Sequence, residues 1–186
     1  LAGRFVGIVG VVGIFCSIMI YVFTKREFWS FESTAAKFSL TAILLGIAST
    51  WLTILILNLT DNSPESNLLI AQAGPILSKA LIVTSIIKLS FEASIFRYLI
   101  RRQNSPLKRS AVLMSGELSN VTLARFACGI LGGILMPAFL LNHQTQPLQN
   151  ITLFIIVAIL FIACLFGEFL ERYLYFSAVA APRMPG

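Results

Sequence analysis

Ile151-Thr-Leu-Phe-Ile-Ile-Val-Ala-Ile-Leu-Phe-Ile-Ala-Cys-Leu-Phe-Gly167 carries no charge, and Glu168-Phe-Leu-Glu171-Arg172 follows it directly. The hydrocarbon core of a bilayer, roughly 30 Å thick, takes about 20 apolar residues of helix. Extended to Phe176, this stretch meets that length. A soluble helix shows an apolar stripe; here apolar side chains fill every face. The reading is a transmembrane helix over residues 151–176, with its charges gathered near one end.

Working outward, four more blocks behave alike, at about residues 5–23, 35–59, 68–98 and 119–141. Of 186 residues, 57% are hydrophobic and 12% charged, against roughly 45–50% and about 25% in soluble domains. Mean hydropathy is +0.87. The sequence predicts an all-α, polytopic transmembrane bundle of about five spans. Residues 1–186 form a single membrane domain, with little chain left between spans for an extramembrane one. Leu1–Phe23 is too long an apolar run, with too poor a basic start at Arg4, for a secretory signal. It reads as a true span, of a chain that starts inside a longer protein.

Local features refine the spans. Gly3, Gly7, Gly10 and Gly13 fall on one face of the first helix, suited to close packing. Lys25-Arg26-Glu27 with Phe28, Trp29 and Phe31 closes that span at a headgroup interface. Thr60-Asp-Asn-Ser-Pro64 is a turn, Pro75 a candidate kink, and Arg101-Arg102 with Lys108-Arg109 a basic loop around Pro106. The fourth span holds a G-x-x-x-G pair, Gly129 and Gly133, and a distortion at Pro137. With five spans, Lys25, Arg26, Arg101, Arg102, Lys108, Arg109 and Arg183 share one side, while Arg4 lies on the other. The positive-inside rule makes the basic loops and the C-terminus cytoplasmic.

Ionisable groups within a span cost at least about 2.5–3.5 kcal/mol at a helix centre unless partnered or wetted. Candidates are Lys88 and Glu92 at i, i+4 in the third span, Glu117 just before the fourth, Arg125 within it, and Glu168, Glu171 and Arg172 in the fifth. Arg97 stands close by. All but the deeper Lys88 lie toward the basic side, so three helices bring acids and bases to one level. Two uses fit: interhelical ion pairs, or a polar pocket where carboxylates accept protons from a quinol. Arg101, Arg102, Lys108 and Arg109 are candidates for docking a partner.

Other chemistry is poorly represented. Cys16, Cys128 and Cys164 stand alone in apolar runs, without C-x-x-C spacing, so no metal ligation is expected from this chain. His143, the only histidine, falls between the last two spans, where it cannot serve as a haem ligand inside the helices. The sequons at Asn58, Asn120 and Asn150 are weak, and no phosphate-binding loop, nucleophile elbow or zinc-protease pattern occurs.

Three stretches carry a resemblance: Tyr21-Val-Phe-Thr-Lys-Arg-Glu-Phe-Trp29 with Thr34 and Phe38; Gly116-Glu-Leu118 with Arg125; and Gly167-Glu-Phe-Leu-Glu-Arg-Tyr-Leu-Tyr-Phe176 running into Ala181-Pro-Arg-Met-Pro-Gly186. Across essentially the whole chain, this resembles the C-terminal five spans of the membrane anchor subunit of the bacterial dimethyl sulfoxide reductase family. The resemblance implies a haem-free anchor in the bacterial cytoplasmic (inner) membrane that oxidises menaquinol. Its electrons would pass to an iron–sulfur subunit and then to a molybdenum catalytic subunit. The family's N-terminal spans, with their quinol-site histidine, have no counterpart here. The expected function is therefore a non-catalytic anchor within a quinol-dependent oxidoreductase. The alternatives are a small transporter with a polar path between the third, fourth and fifth spans, and a purely structural scaffold.

Overall fold

The computed structural model describes residues 2–61, 63–100, 105–143 and 150–179. The described residues are helical apart from short turns. The helices are α1 (Ala2–Val22), α2 (Phe31–Asp61), α3 (Pro64–Ala93), α4 (Pro106–Ser115), α5 (Ser119–Ile130), α6 (Met136–Asn142) and α7 (Asn150–Ser177). A 3-10 turn, Glu27–Trp29, precedes α2, another, Ser94–Leu99, extends α3, and a π-helical turn, Leu131–Leu135, joins α5 to α6. Five segments are long and apolar enough to cross a membrane: Gly3–Val22, Phe31–Thr60, Pro64–Leu99, Ser119–Asn142 and Ile151–Ser177. The protein is a five-span helical membrane bundle.

Helix boundaries follow local chemistry. Ser63 caps α3 by accepting from the Ser66 amide at 3.2 Å, with Pro64 in the first turn, where a missing N–H costs nothing. The expected turn at residues 60–64 is thus mostly helix end and cap, and α3 starts four residues earlier than the apolar run suggests. Ser105 and Pro106 repeat this device at α4, so the segment expected as a basic loop contains a ten-residue helix that buries Ser110, Ala111 and Met114. α3 runs on through Pro75. Pro137 has no N–H for the Gly133 carbonyl and its ring crowds that carbonyl; the π turn absorbs the mismatch just ahead of it.

α2 packs on α3 and α7, and α5 packs on α7 and α3. Away from the basic end, Leu44, Ala48, Trp51, Leu55, Leu81, Leu140, Val157, Leu160 and Cys164 interlock as a buried apolar cluster. α1 contacts chiefly α2, and only 6% of its apolar window is buried. Its glycine face meets nothing: a Cβ added at Gly3, Gly7, Gly10 or Gly13 has no neighbour within 4 Å. The G-x-x-x-G pair of the fourth span is packed instead. A Cβ at Gly129 would sit 2.8 Å from Leu89 Cδ2, and one at Gly133 would strike Ser85. Leu89 and Ser85 are one turn apart on α3, so the two glycines let α5 and the π turn after it approach α3 closely.

Candidate functional site

Four ionised side chains meet where α2, α3, α5 and α7 converge. Arg125 donates to Glu92 through Nε (3.1 Å) and Nη2 (2.8 Å), a forked pairing, and its Nη2 also reaches Glu168 at 3.0 Å. Lys88 lies 2.8 Å from the other Glu168 oxygen and 3.7 Å from Glu92. Lys88 and Arg125 are 1% and 2% exposed, and two bases against two acids leave no net charge. Such closure is what makes ions tolerable at this depth. Gly167 is part of the reason: its Cβ would stand 2.9 Å from Arg125 Nη1, in the space the guanidinium occupies.

Thr41 of α2 links the network. Lys88 donates to its hydroxyl, Arg172 Nη2 does so at 3.3 Å, and the single hydroxyl proton has Glu168 Oε2 at 2.6 Å and the Lys37 carbonyl at 2.8 Å as acceptors. One turn toward the basic end lies a looser group. Glu171 is 3.7 Å from Lys37 Nζ and 3.6 Å from Arg172 Nε. It is 3% exposed, and neither buried carboxylate oxygen has a hydrogen-bond partner among the described residues. The Lys37 ammonium lies over the rings of Phe28 (4.6 Å) and Tyr175 (5.1 Å). The Arg172 guanidinium stacks on Phe38 at 3.7 Å. Tyr175 is held by Thr34, 3.0 Å from its hydroxyl, and by the Trp29 indole N–H, which donates to its carbonyl at 3.2 Å.

A cavity of about 210 Å³ reaches this group from the end of the bundle. Its lining includes the partly buried Lys37, the buried Glu92, Arg125 and Glu171, the apolar Phe91, Phe126 and Leu174, and the exposed Glu27, Glu32 and Arg97. The α1–α2 link, the end of α3, α4 and the end of α7 all contribute, so these segments share one end, as the five-span topology requires.

Of the residues singled out from sequence, the structure brings together Lys88, Glu92, Arg125, Glu168, Glu171 and Arg172. Lys88 pairs most closely with Glu168 on α7, across helices, and only loosely with Glu92 on its own helix. Arg172 turns to Glu171, Thr41 and Phe38 and makes no described pair with Glu168. Glu117 is exposed in the α4–α5 turn, apart from the cluster. Lys108 and Arg109 lie in the first turn of α4; Arg101, Arg102, Arg183 and the Ala181–Gly186 motif lie outside the described residues. His143 ends α6 with Nδ1 3.1 Å from the Phe139 carbonyl, and the three cysteines are free. Asn58 is buried, donating to Ser66 and Asn67, which removes its sequon from reach. The residues that apolar-block reading passed over are Lys37 and Thr41. A lysine two positions inside an expected span, four before a threonine, was the available signal. No family model, no curated protein and no solved structure matches the chain.

Proposed function

We propose that this chain is the membrane anchor of a molybdoenzyme-type respiratory reductase in a bacterial cytoplasmic membrane, and that it oxidises menaquinol in the cavity at the basic end. One observation carries the reading: Glu171, a buried carboxylate without a hydrogen-bond partner among the described residues, stands beside the Lys37 ammonium in an aromatic-lined cavity that opens at the bundle end. A carboxylate with no described hydrogen bond, beside an ammonium 3.7 Å away, suits a ligand whose ring hydroxyl can meet both.

Oxidation of a quinol releases two protons and two electrons. One ring O–H breaks, and its proton passes to a Glu171 oxygen. The second hydroxyl proton leaves toward the open end, where the exposed Glu27 and Glu32 line the same cavity. Both electrons pass to an iron–sulfur subunit docked over the basic surface that includes Lys108 and Arg109, and onward to a molybdenum catalytic subunit. That surface faces the cytoplasm by the positive-inside rule.

The competing readings account for less. A transport path between α3, α5 and α7 would have to pass the forked Arg125–Glu92 pair and then the interlocked apolar cluster. A pure scaffold is served by the closed Lys88–Glu92–Arg125–Glu168 set, but not by Glu171, whose unsatisfied burial costs stability. The test uses the complex purified in mild detergent, in which iron–sulfur and molybdenum polypeptides accompany this chain. Glu171→Gln lowers quinol-dependent turnover by about 100-fold or more, while turnover from an artificial donor to the soluble subunits is unchanged. Wild-type quinol turnover in the variant, or purification without such polypeptides, refutes the proposal.

A further inference from the structure

We infer that Lys37 is the oxyanion-binding residue of this cavity, and that the site is built to hold its ligand with a ring oxygen deprotonated. The inference rests on the ring-hydroxyl reading above and specifies the charge state of the ligand that Lys37 is placed to hold.

The charge count points this way. The inner cluster contains Lys37, Lys88, Arg125 and Arg172 against Glu92, Glu168 and Glu171. Lys88 and Arg125 are matched by Glu92 and Glu168 at close range. The remaining two cations share Glu171 alone, at 3.6–3.7 Å, longer than a hydrogen bond. One positive charge is in surplus within this group, on the partly exposed pair Lys37 and Arg172, whose side chains are 12% and 25% exposed. Arg172 lays its guanidinium on the Phe38 ring and reaches Thr41 through Nη2; its buried Nη1 has no hydrogen-bond partner among the described residues, but Arg172 is not part of the cavity lining. Lys37 does line the cavity, and its described partners are two ring faces and the Glu171 carboxylate. Ring faces hold a cation in place without occupying its N–H donors in strong bonds. The surplus charge is therefore available to a ligand atom.

This arrangement balances proton transfer. Before it, the negative charge is on Glu171, beside Lys37. When the ring O–H breaks and its proton moves to Glu171, the negative charge moves to the ring oxygen, also beside Lys37. The ammonium faces the same charge at either end of the step, so no new charge is created in the bundle. Phe28 and Tyr175 fix where the ammonium sits; Tyr175 is itself held by Thr34 and Trp29.

The experiment measures binding of two probes to the purified complex. One is 2-hydroxy-1,4-naphthoquinone, whose acidic ring hydroxyl is ionised at neutral pH; the other is 1,4-naphthoquinone, the same ring without that charge. Lys37→Met should weaken the anion by about 10- to 100-fold, the loss expected for a hydrogen bond to a charged group, and change the neutral probe by less than about threefold. Lys37→Arg retains anion binding and shows that the fold tolerates the position. Glu171→Gln, which removes the competing negative charge, tightens the anion. Anion binding by Lys37→Met equal to wild type overturns the inference, as does an equal loss of both probes. If wild-type complex binds neither probe, the ring-ligand reading of the cavity fails first and takes this one with it.

Discussion

Arg125→Met removes the hub of the buried network while keeping side-chain length and packing. Glu92 then loses both hydrogen bonds of its forked pair and is left with Lys88 at 3.7 Å as its described ionic partner. Glu168 fares better, keeping Lys88 at 2.8 Å and the Thr41 hydroxyl at 2.6 Å. The damage is therefore concentrated on one carboxylate that is 8% exposed. Breaking a buried pair from one side costs about 3–5 kcal/mol, a large share of a typical stability of about 5–15 kcal/mol. Adding Glu92→Gln discharges the orphaned group. The double variant should recover about 2 kcal/mol or more relative to the sum of the singles, the signature of a direct coupling. Reversible unfolding of the purified chain in mixed micelles, titrated with a denaturing detergent, measures all four corners of the cycle. A loss below about 1 kcal/mol in Arg125→Met, or additive single effects, would show that the network does not hold the helices together.

Glycines on two helices should respond in opposite ways. Gly133→Ala drives a methyl into Ser85, whose Cβ is 2.6 Å from the new atom. A loss of about 1–3 kcal/mol follows from overpacking, read by the same unfolding titration; Gly10→Ala, with open space around it, is neutral or stabilising by up to about 1 kcal/mol from helix propensity. Thr41→Val deletes a hydroxyl that accepts from Lys88 and Arg172 and can donate to Glu168. It should destabilise by about 1–3 kcal/mol, and Thr41→Ser, which keeps the hydroxyl, should lose less than half as much.

The spans and their common polar end are legible from the order of residues alone. Long uncharged runs are a one-dimensional property, and the bilayer acts on each helix separately. Ile151–Gly167 needs no neighbour to be a transmembrane segment, and the uneven distribution of Lys and Arg needs none to suggest which end is which. Most of the ionisable set was legible for the same reason, because a glutamate or arginine inside an apolar run stands out. Tertiary structure decided which of those groups meet. Lys37 and Thr41 enter the cluster because α2 packs between α3 and α7. Glu117 stays out, exposed in the α4–α5 turn. Lys88 meets Glu168 on another helix where Gly129 and Gly133 let the fourth span pack closely on α3 and Gly167 lets α7 pack closely on α5. The distinction between the closed ion pairs and the looser Lys37–Glu171 couple comes down to ion-pair distances, 2.8 Å for Lys88–Glu168 against 3.7 Å, which no pattern along the chain encodes.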